Sequence, residues 1–170
     1  MRKIHHKESD LQIRFVKWVR VNYPEFAMLF EHPKNEGSGC SPQDRMRQAI
    51  AKAEGVQAGV ADLIFHVPSV THFIDGEFQE EPYTYHSLAF ELKSKTGRQS
   101  REQKLFQRYF EAAGGKYVIG RDFETLTAEF QRYVDGIPSN IHDTICEVYV
   151  AIQRETTESA RAELNRIINK

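Results

Sequence analysis

Glu91 and Lys93 stand two residues apart in Ser87 to Lys93 (SLAFELK), a segment with the length and apolar content of a β-strand. Strand side chains alternate between faces, so Glu91 and Lys93 emerge together while Phe90 and Leu92 face the opposite, apolar side. A second acid, Asp62, is embedded in the apolar run Val60 to Val67 (VADLIFHV). If these two strands pair as neighbours, two carboxylates and one ammonium converge on a small patch. Burying such charges without a partner cation is costly. Two carboxylates with an adjacent carbonyl make a hard oxygen site suited to Mg²⁺ or Mn²⁺. An ion held there binds a phosphate and lowers the pKa of a water, and a neighbouring lysine can orient that water or help deprotonate it. Phosphodiester hydrolysis needs this division of labour.

The triplet E-x-K carries little by itself. Glu102-Gln103-Lys104 repeats it on a predicted helix, where residues two apart share no face. The strand context and the upstream Asp62 carry the signal. A surface ion pair at a strand end accounts for Glu91 and Lys93 equally well, so the residues alone leave both readings open.

The elements that must position these groups follow from periodicity and turn chemistry. Leu11, Phe15, Trp18 and Val19 mark one face of a helix from Glu8 to Val21, ended by Asn22-Tyr23-Pro24. Phe26 to Glu31 reads as a short strand, and His32 to Cys40 (HPKNEGSGC) as a Gly-bearing loop. Ser41-Pro42 opens a helix that Gly55 stops. After the strand bearing Asp62, residues 68 to 85 form an irregular hairpin with a turn at Asp75-Gly76. Ser100 opens a helix to about Ala113, with Leu105, Phe106, Tyr109 and Phe110 as its expected buried stripe and Gly114-Gly115 as its stop. Lys116 to Ile119 is a strand and Asp122 to Val134 a helix. Residues 139 to 170 read as one or two helices, although TICEVYVAIQ also fits a strand. This order predicts an α/β fold, a mixed central sheet flanked by helices, with a C-terminal helical extension. We divide the chain into a domain over 1–135 and an extension over 136–170.

The chain has 170 residues, 40% of them hydrophobic, enough for a self-sufficient core. Its net charge of −1 excludes a polycation, so basic residues must be judged by where they fall. The two cysteines, Cys40 and Cys146, lie far apart, and neither a structural zinc site nor a disulfide framework is expected. No apolar stretch approaches the ~20 residues of a membrane span, so the expectation is an intracellular protein without membrane contact.

The segments G-V-A-D-L-I-F, A-F-E-L-K, S-R-E-Q-K and G-G-K-Y-V-I-G together resemble the VRR-NUC (virus-type replication-repair nuclease) family of the PD-(D/E)XK superfamily. The N-terminal E-S-D-L-Q-I-R-F-V-K-W and the N-E-G loop add to the likeness, which spans about Glu8 to Val134. The resemblance implies a restriction-endonuclease-like fold and Mg²⁺- or Mn²⁺-dependent hydrolysis of DNA, by an endonuclease in a bacterial or phage-infected cytoplasm. It implies that Asp62 and Glu91 bind metal, that Leu92 offers its backbone carbonyl, and that Lys93 is catalytic. Glu8 matches an acid on the first helix and Gln103 a glutamine at the start of the helix after the lysine strand. Where the superfamily name anticipates proline before the aspartate, this chain has Ala61.

Several residues have a plainer role beside the sharper one. Ser100-x-x-Gln103 is a capping-box pattern, so Gln103 caps the helix, serves the site, or does both. Glu8 also suits the positive end of the first helix. His32, Lys34 and Asn35 lie on the Gly-bearing loop, facing DNA or merely solvated. Lys95, Arg98, Arg101, Lys104 and Arg108 form the best phosphate-binding series, with Tyr109 and Phe110 expected in the core. His5, His6, His66, His72 and His86 show no metal spacing. The extension packs on its own domain or forms a homodimer interface, as double-strand cleavage would favour. Two rival functions stay open. One is a structure-selective nuclease for branched DNA such as junctions or flaps; the other is a non-catalytic DNA-binding module of the same fold.

Overall fold

In the computed structural model, which describes residues 7–33, 41–74 and 76–168, the stripe around Phe15 becomes the buried face of helix α1 (Lys7–Asn22). Pro24 sits in the first turn of a 3₁₀ segment (Pro24–Leu29), where its fixed φ is already helical and its missing N–H costs nothing. The expected strand over Phe26 to Glu31 is therefore corrected: only Phe30–Glu31 pair, as β1. Helix α2 (Pro42–Ala53) starts at a capping box in which Ser41 and Asp44 satisfy each other's backbone N–H groups. Strand β2 is Leu63–Phe65, shorter than the apolar run suggested. Asp62 lies just outside it, because its carboxylate, not a backbone carbonyl, takes the next N–H of the neighbouring strand.

Residues 69 to 85 form a separate two-stranded sheet, β3 (Ser69–Ile74) with β4 (Glu77–Tyr85). Gly76 sits in its turn at φ +84°, a conformation that L side chains rarely adopt. The chain then returns through β5 (Leu88–Leu92), α3 (Arg101–Ala112), β6 (Lys116–Gly120), α4 (Phe123–Asp135) and α5 (Ser139–Ile168). The C-terminal segment is thus one helix and TICEVYVAIQ is no strand. Thr144, Thr156 and Thr157 each bond back to the carbonyl four residues earlier, an outlet that lets β-branched threonine sit in a helix.

The central sheet runs β1-β2-β5-β6. Its first two pairings are antiparallel, with Leu63 opposite Phe90, and β5 pairs with β6 in parallel, with Leu92 opposite Gly120. One face carries the aromatic core: Phe15 lies 5.1 Å from Phe90 and 6.0 Å from Phe130, and Phe65 lies 5.2 Å from Phe130, centroid to centroid. Each such ring contributes on the order of 1.5–3 kcal/mol through burial. Ile141 and Ile145 bring the start of α5 against the same cluster, whereas Val148, Val150 and Ile152 are exposed. No helix among the described residues is long and apolar enough to cross a membrane.

The opposite face is small. Ala61, Ile64 and Ala89 are covered by Val60, Phe106, Phe110 and Tyr117. Alanines let α3 sit close to the sheet, so its contact stripe is narrow. Phe106 and Phe110 pack, but Leu105 and Tyr109 are 54% and 71% exposed, which corrects their expected burial. Gly59 sets the approach. It has φ +83°, and a Cβ there would lie 2.4 Å from the backbone carbon of Glu102 and 2.7 Å from the nitrogen of Gln103. The segment leading to Asp62 thus rests directly on the first turn of α3. Gly59→Ala is expected to lower stability by more than the ~1–2 kcal/mol of a left-handed residue alone, since α3 must also move. Urea unfolding of the two proteins measures the difference.

Candidate active site

The parallel pairing of β5 with β6 through α3 brings three elements around one carboxylate. Glu91 is fully buried in the middle of the sheet. Its Oε1 accepts from Lys93 Nζ at 2.5 Å and from Gln103 Nε2 at 2.5 Å, and its Oε2 accepts from the Tyr117 hydroxyl at 3.1 Å. Lys93 emerges on the same face, as strand alternation predicts, and is itself 9% exposed. Gln103 divides its amide. The oxygen accepts the Ser100 N–H at 2.9 Å, the Ser100 hydroxyl accepts the Gln103 N–H at 3.2 Å, and the amide nitrogen is left to donate to Glu91. One side chain closes the helix cap and reaches the buried acid at once.

Asp62 approaches from the other side. Antiparallel pairing of Leu63 with Phe90 carries the preceding residue toward Glu91, and the Leu92 N–H donates to Asp62 Oδ2 at 2.7 Å. A strand residue directs its N–H and C=O to the same edge, so the Leu92 carbonyl faces the edge where Asp62 lies. Burial pushes the Asp62 carboxyl up from the ordinary carboxylate range and Glu8 adds to the rise, against the lowering effect of the Leu92 N–H, Lys93 and His32. Burial likewise raises Glu91, with repulsion from Asp62 a lesser cause, against the pull of Lys93 and Tyr117. Desolvation thus exceeds the mutual repulsion that two neighbouring acids would lead one to expect. The Tyr117 hydroxyl is raised by burial and then by Glu91, so it stays a neutral donor.

Glu8 reaches the site from α1. Its Oε1 accepts the Ser94 N–H at 2.7 Å, immediately after Lys93. Arg121, which follows β6, donates to the carbonyls of Ser94 at 2.7 Å and Gly97 at 2.9 Å. These bonds fix the loop leaving β5 from both sides. His32 Nδ1 lies 2.6 Å from the Asp62 carbonyl. A carbonyl only accepts, so toward Asp62 that nitrogen donates; Gln12 Nε2 lies 3.1 Å from the same nitrogen.

The structure therefore gathers Asp62, Glu91, Lys93, Gln103, Glu8, the Leu92 backbone and His32. Lys34 and Asn35 lie outside the described residues. Lys95, Arg98, Arg101, Lys104 and Arg108 are all exposed; the last three lie on α3 at helical spacing with Leu105 and exposed Tyr109. Tyr117 and Arg121 were not singled out in the sequence. Tyr117 reads as a core residue of β6 until the register sets it beside Ala89, on the face that Glu91 shares.

Carboxylate oxygens offer about four lone-pair sites per group. The hydrogen bonds described use three on Glu91 and one on Asp62. The donor set left over is hard oxygen, with two acids whose ionisation burial opposes, and it fits Mg²⁺ or Mn²⁺.

A carboxyl raised in the fold holds more protons than its unfolded counterpart, between the ordinary value and the raised one. Folding stability therefore falls as pH rises through that window. Asp62→Asn keeps an acceptor for the Leu92 N–H and removes the titration. In metal-free buffer it is expected to melt about 2–4 °C above the unmodified protein at pH 7, the shift that roughly 1 kcal/mol produces at this size. The gain should fade as pH falls through the ordinary carboxylate value and vanish well below it, where both states are protonated. Thermal scans across pH test this.

No family model matches the chain, and no curated protein matches it. Among solved structures, a VRR_NUC domain protein superposes with a TM-score of 0.57 at 19% sequence identity. The match covers 78% of this chain and 91% of that one. At that identity the likeness establishes the fold alone: a mixed sheet flanked by helices, of the kind found in that VRR_NUC domain.

Proposed function

We propose that this chain is a Mg²⁺- or Mn²⁺-dependent nuclease that hydrolyses phosphodiester bonds within DNA. The observation that carries the reading is Glu91: a carboxylate without exposed surface, held by Lys93, Gln103 and Tyr117, with Asp62 turned to the same patch. A purely structural role would not call for a second desolvated acid beside it. In this reading Asp62, Glu91 and the Leu92 carbonyl hold the ion, with Glu8 reaching it directly or through water. When bound, the ion supplies Lewis-acid charge against the scissile phosphate and eases deprotonation of water.

The chain's own residues do the rest. Glu91 Oε1 keeps the Lys93 ammonium at the edge of the buried patch, where it can orient the attacking water and offset phosphate charge. Lys93, Gln103 and Tyr117 fix the Glu91 carboxylate by three-point hydrogen bonding, which leaves its remaining lone pair in one direction. Arg121 and Glu8 hold the loop after Lys93, and with it the exposed Lys95 and Arg98. Together with Arg101, Lys104 and Arg108 they form a basic track for the phosphate backbone. Exposed Tyr109 places an aromatic ring on that track, in position to stack on a base. His32 would join through the Asp62 backbone carbonyl that it holds.

Cleavage of a labelled duplex is expected with Mg²⁺ or Mn²⁺ and not with chelator. Asp62→Ala should abolish it, and Lys93→Ala should lower the single-turnover rate by about 10²–10⁴-fold, the range for a positioned acid–base group. Variants that cut as fast as the unmodified protein would sink the assignment, and binding without any turnover would make it a DNA-binding module. Nicked, flapped, single-stranded and four-way substrates assayed together decide whether the enzyme selects branched DNA.

The double use of Gln103 gives a separate test. Gln103→Glu can still close the capping box but sets a carboxylate against Glu91. Helix content and melting temperature should hold to within a few degrees while the cleavage rate falls at least tenfold. Equal losses of both would reduce Gln103 to a cap.

A further inference from the structure

Away from the basic track, the start of α5 meets the 3₁₀ segment at a group of side chains that the nuclease reading does not use. His142 and Cys146 are four residues apart, so they share one face of the helix. His142 Nδ1 lies 3.7 Å from Cys146 Sγ. Glu25 faces them from the 3₁₀ segment, and one ligand atom from each of the three lies within 4.8 Å of the others. All three are half-buried.

We propose that Glu25, His142 and Cys146 form a second metal site, for a zinc-class ion, that clamps α5 to the segment following α1. The geometry argues for it. A nitrogen at 2.0–2.1 Å and a sulfur at 2.3 Å from one tetrahedral ion lie about 3.6 Å apart, close to the separation present here. The carboxylate lies within 4.8 Å of both, a gap that a half-buried glutamate side chain can close by rotation. The imidazole is already oriented, because its ring stands edge-on to fully buried Phe26 with centroids 5.4 Å apart. Asp143 adds negative charge 3.9 Å from the same Nδ1. Sulfur, nitrogen and one oxygen make a borderline-soft set that selects Zn²⁺ over Mg²⁺, whereas the oxygens around Asp62 and Glu91 select the reverse. Three protein ligands leave a fourth position for water. The sequence hides the site because Glu25 is far from the His-x-x-x-Cys pair, and two distant cysteines show no zinc spacing of their own.

Co²⁺ is the probe, titrated into untagged, metal-stripped full-length protein. The expected result is one equivalent that develops a sulfur-to-cobalt charge-transfer band with tetrahedral visible bands, and loses them when Zn²⁺ is added. Cys40→Ser and Asp62→Asn should leave the spectrum unchanged. Cys146→Ser and His142→Ala should abolish the charge-transfer and tetrahedral bands respectively, with circular dichroism confirming that the helices persist. Glu25→Gln, which changes no volume, should weaken Co²⁺ at least tenfold. No thiolate band in the folded protein would overturn the site, and so would a band that survives Cys146→Ser or depends on Cys40. Because the readout is spectroscopic and survives Asp62→Asn, its outcome is independent of whether the protein cleaves DNA.

Discussion

A carboxylate with no exposed surface, set between Phe90 and Leu92 in a central strand, is the constraint around which the rest of this molecule is arranged. Ionised, Glu91 would cost several kcal/mol to leave unpaired. Its oxygens are instead satisfied by residues from three separate elements: Lys93 beyond the end of β5, Gln103 on α3 and Tyr117 on β6. Each donor needs a different feature of the fold. Lys93 needs strand alternation, Tyr117 needs the parallel register of β5 with β6, and Gln103 needs α3 to begin against Gly59. The pairing of strands and the seating of the helix are thus fixed by one acid as much as by the aromatic core behind it.

The two faces of the sheet divide labour. The aromatic face, built on Phe15, Phe65, Phe90 and Phe130, supplies most of the apolar burial and has no charged residue among its buried members. The opposite face has alanines where the first has phenylalanines, and that thinness lets α3 come close enough for Gln103 to touch Glu91. It also leaves Leu105 and Tyr109 outside, beside Arg101, Lys104 and Arg108. The exposed basic and aromatic residues of α3 thus follow from the small residues buried beneath it.

Much of this was legible in the residues. Strand alternation alone places Glu91 and Lys93 on one face, and the order of elements predicts the mixed sheet. The capping box at Ser100 and Gln103 forms as its spacing requires. What escaped depended on distance in three dimensions. Tyr117 looked like any strand aromatic until the register set it beside Ala89, and Arg121 gained meaning only when the loop from Ser94 to Gly97 folded over it. Leu105 and Tyr109 fit a helical stripe in periodicity, but the width of that stripe depends on the surface it meets. The strand through Asp62 was read too long because a side-chain acceptor can replace a ladder carbonyl, and periodicity cannot see that exchange.

Gln103 joins two equilibria that are usually separate. Helix termini fray readily, and such local opening proceeds far below the free energy of global unfolding. Here the amide whose oxygen closes the first turn of α3 is also the one whose nitrogen steadies Glu91. A molecule with that turn frayed is also one in which Glu91 has lost a donor. The fraction of molecules in which Glu91 keeps all three of its donors at any instant is therefore bounded by the breathing of a single helical turn. Temperature and solvent would act on Glu91 through that turn, without touching the carboxylate itself.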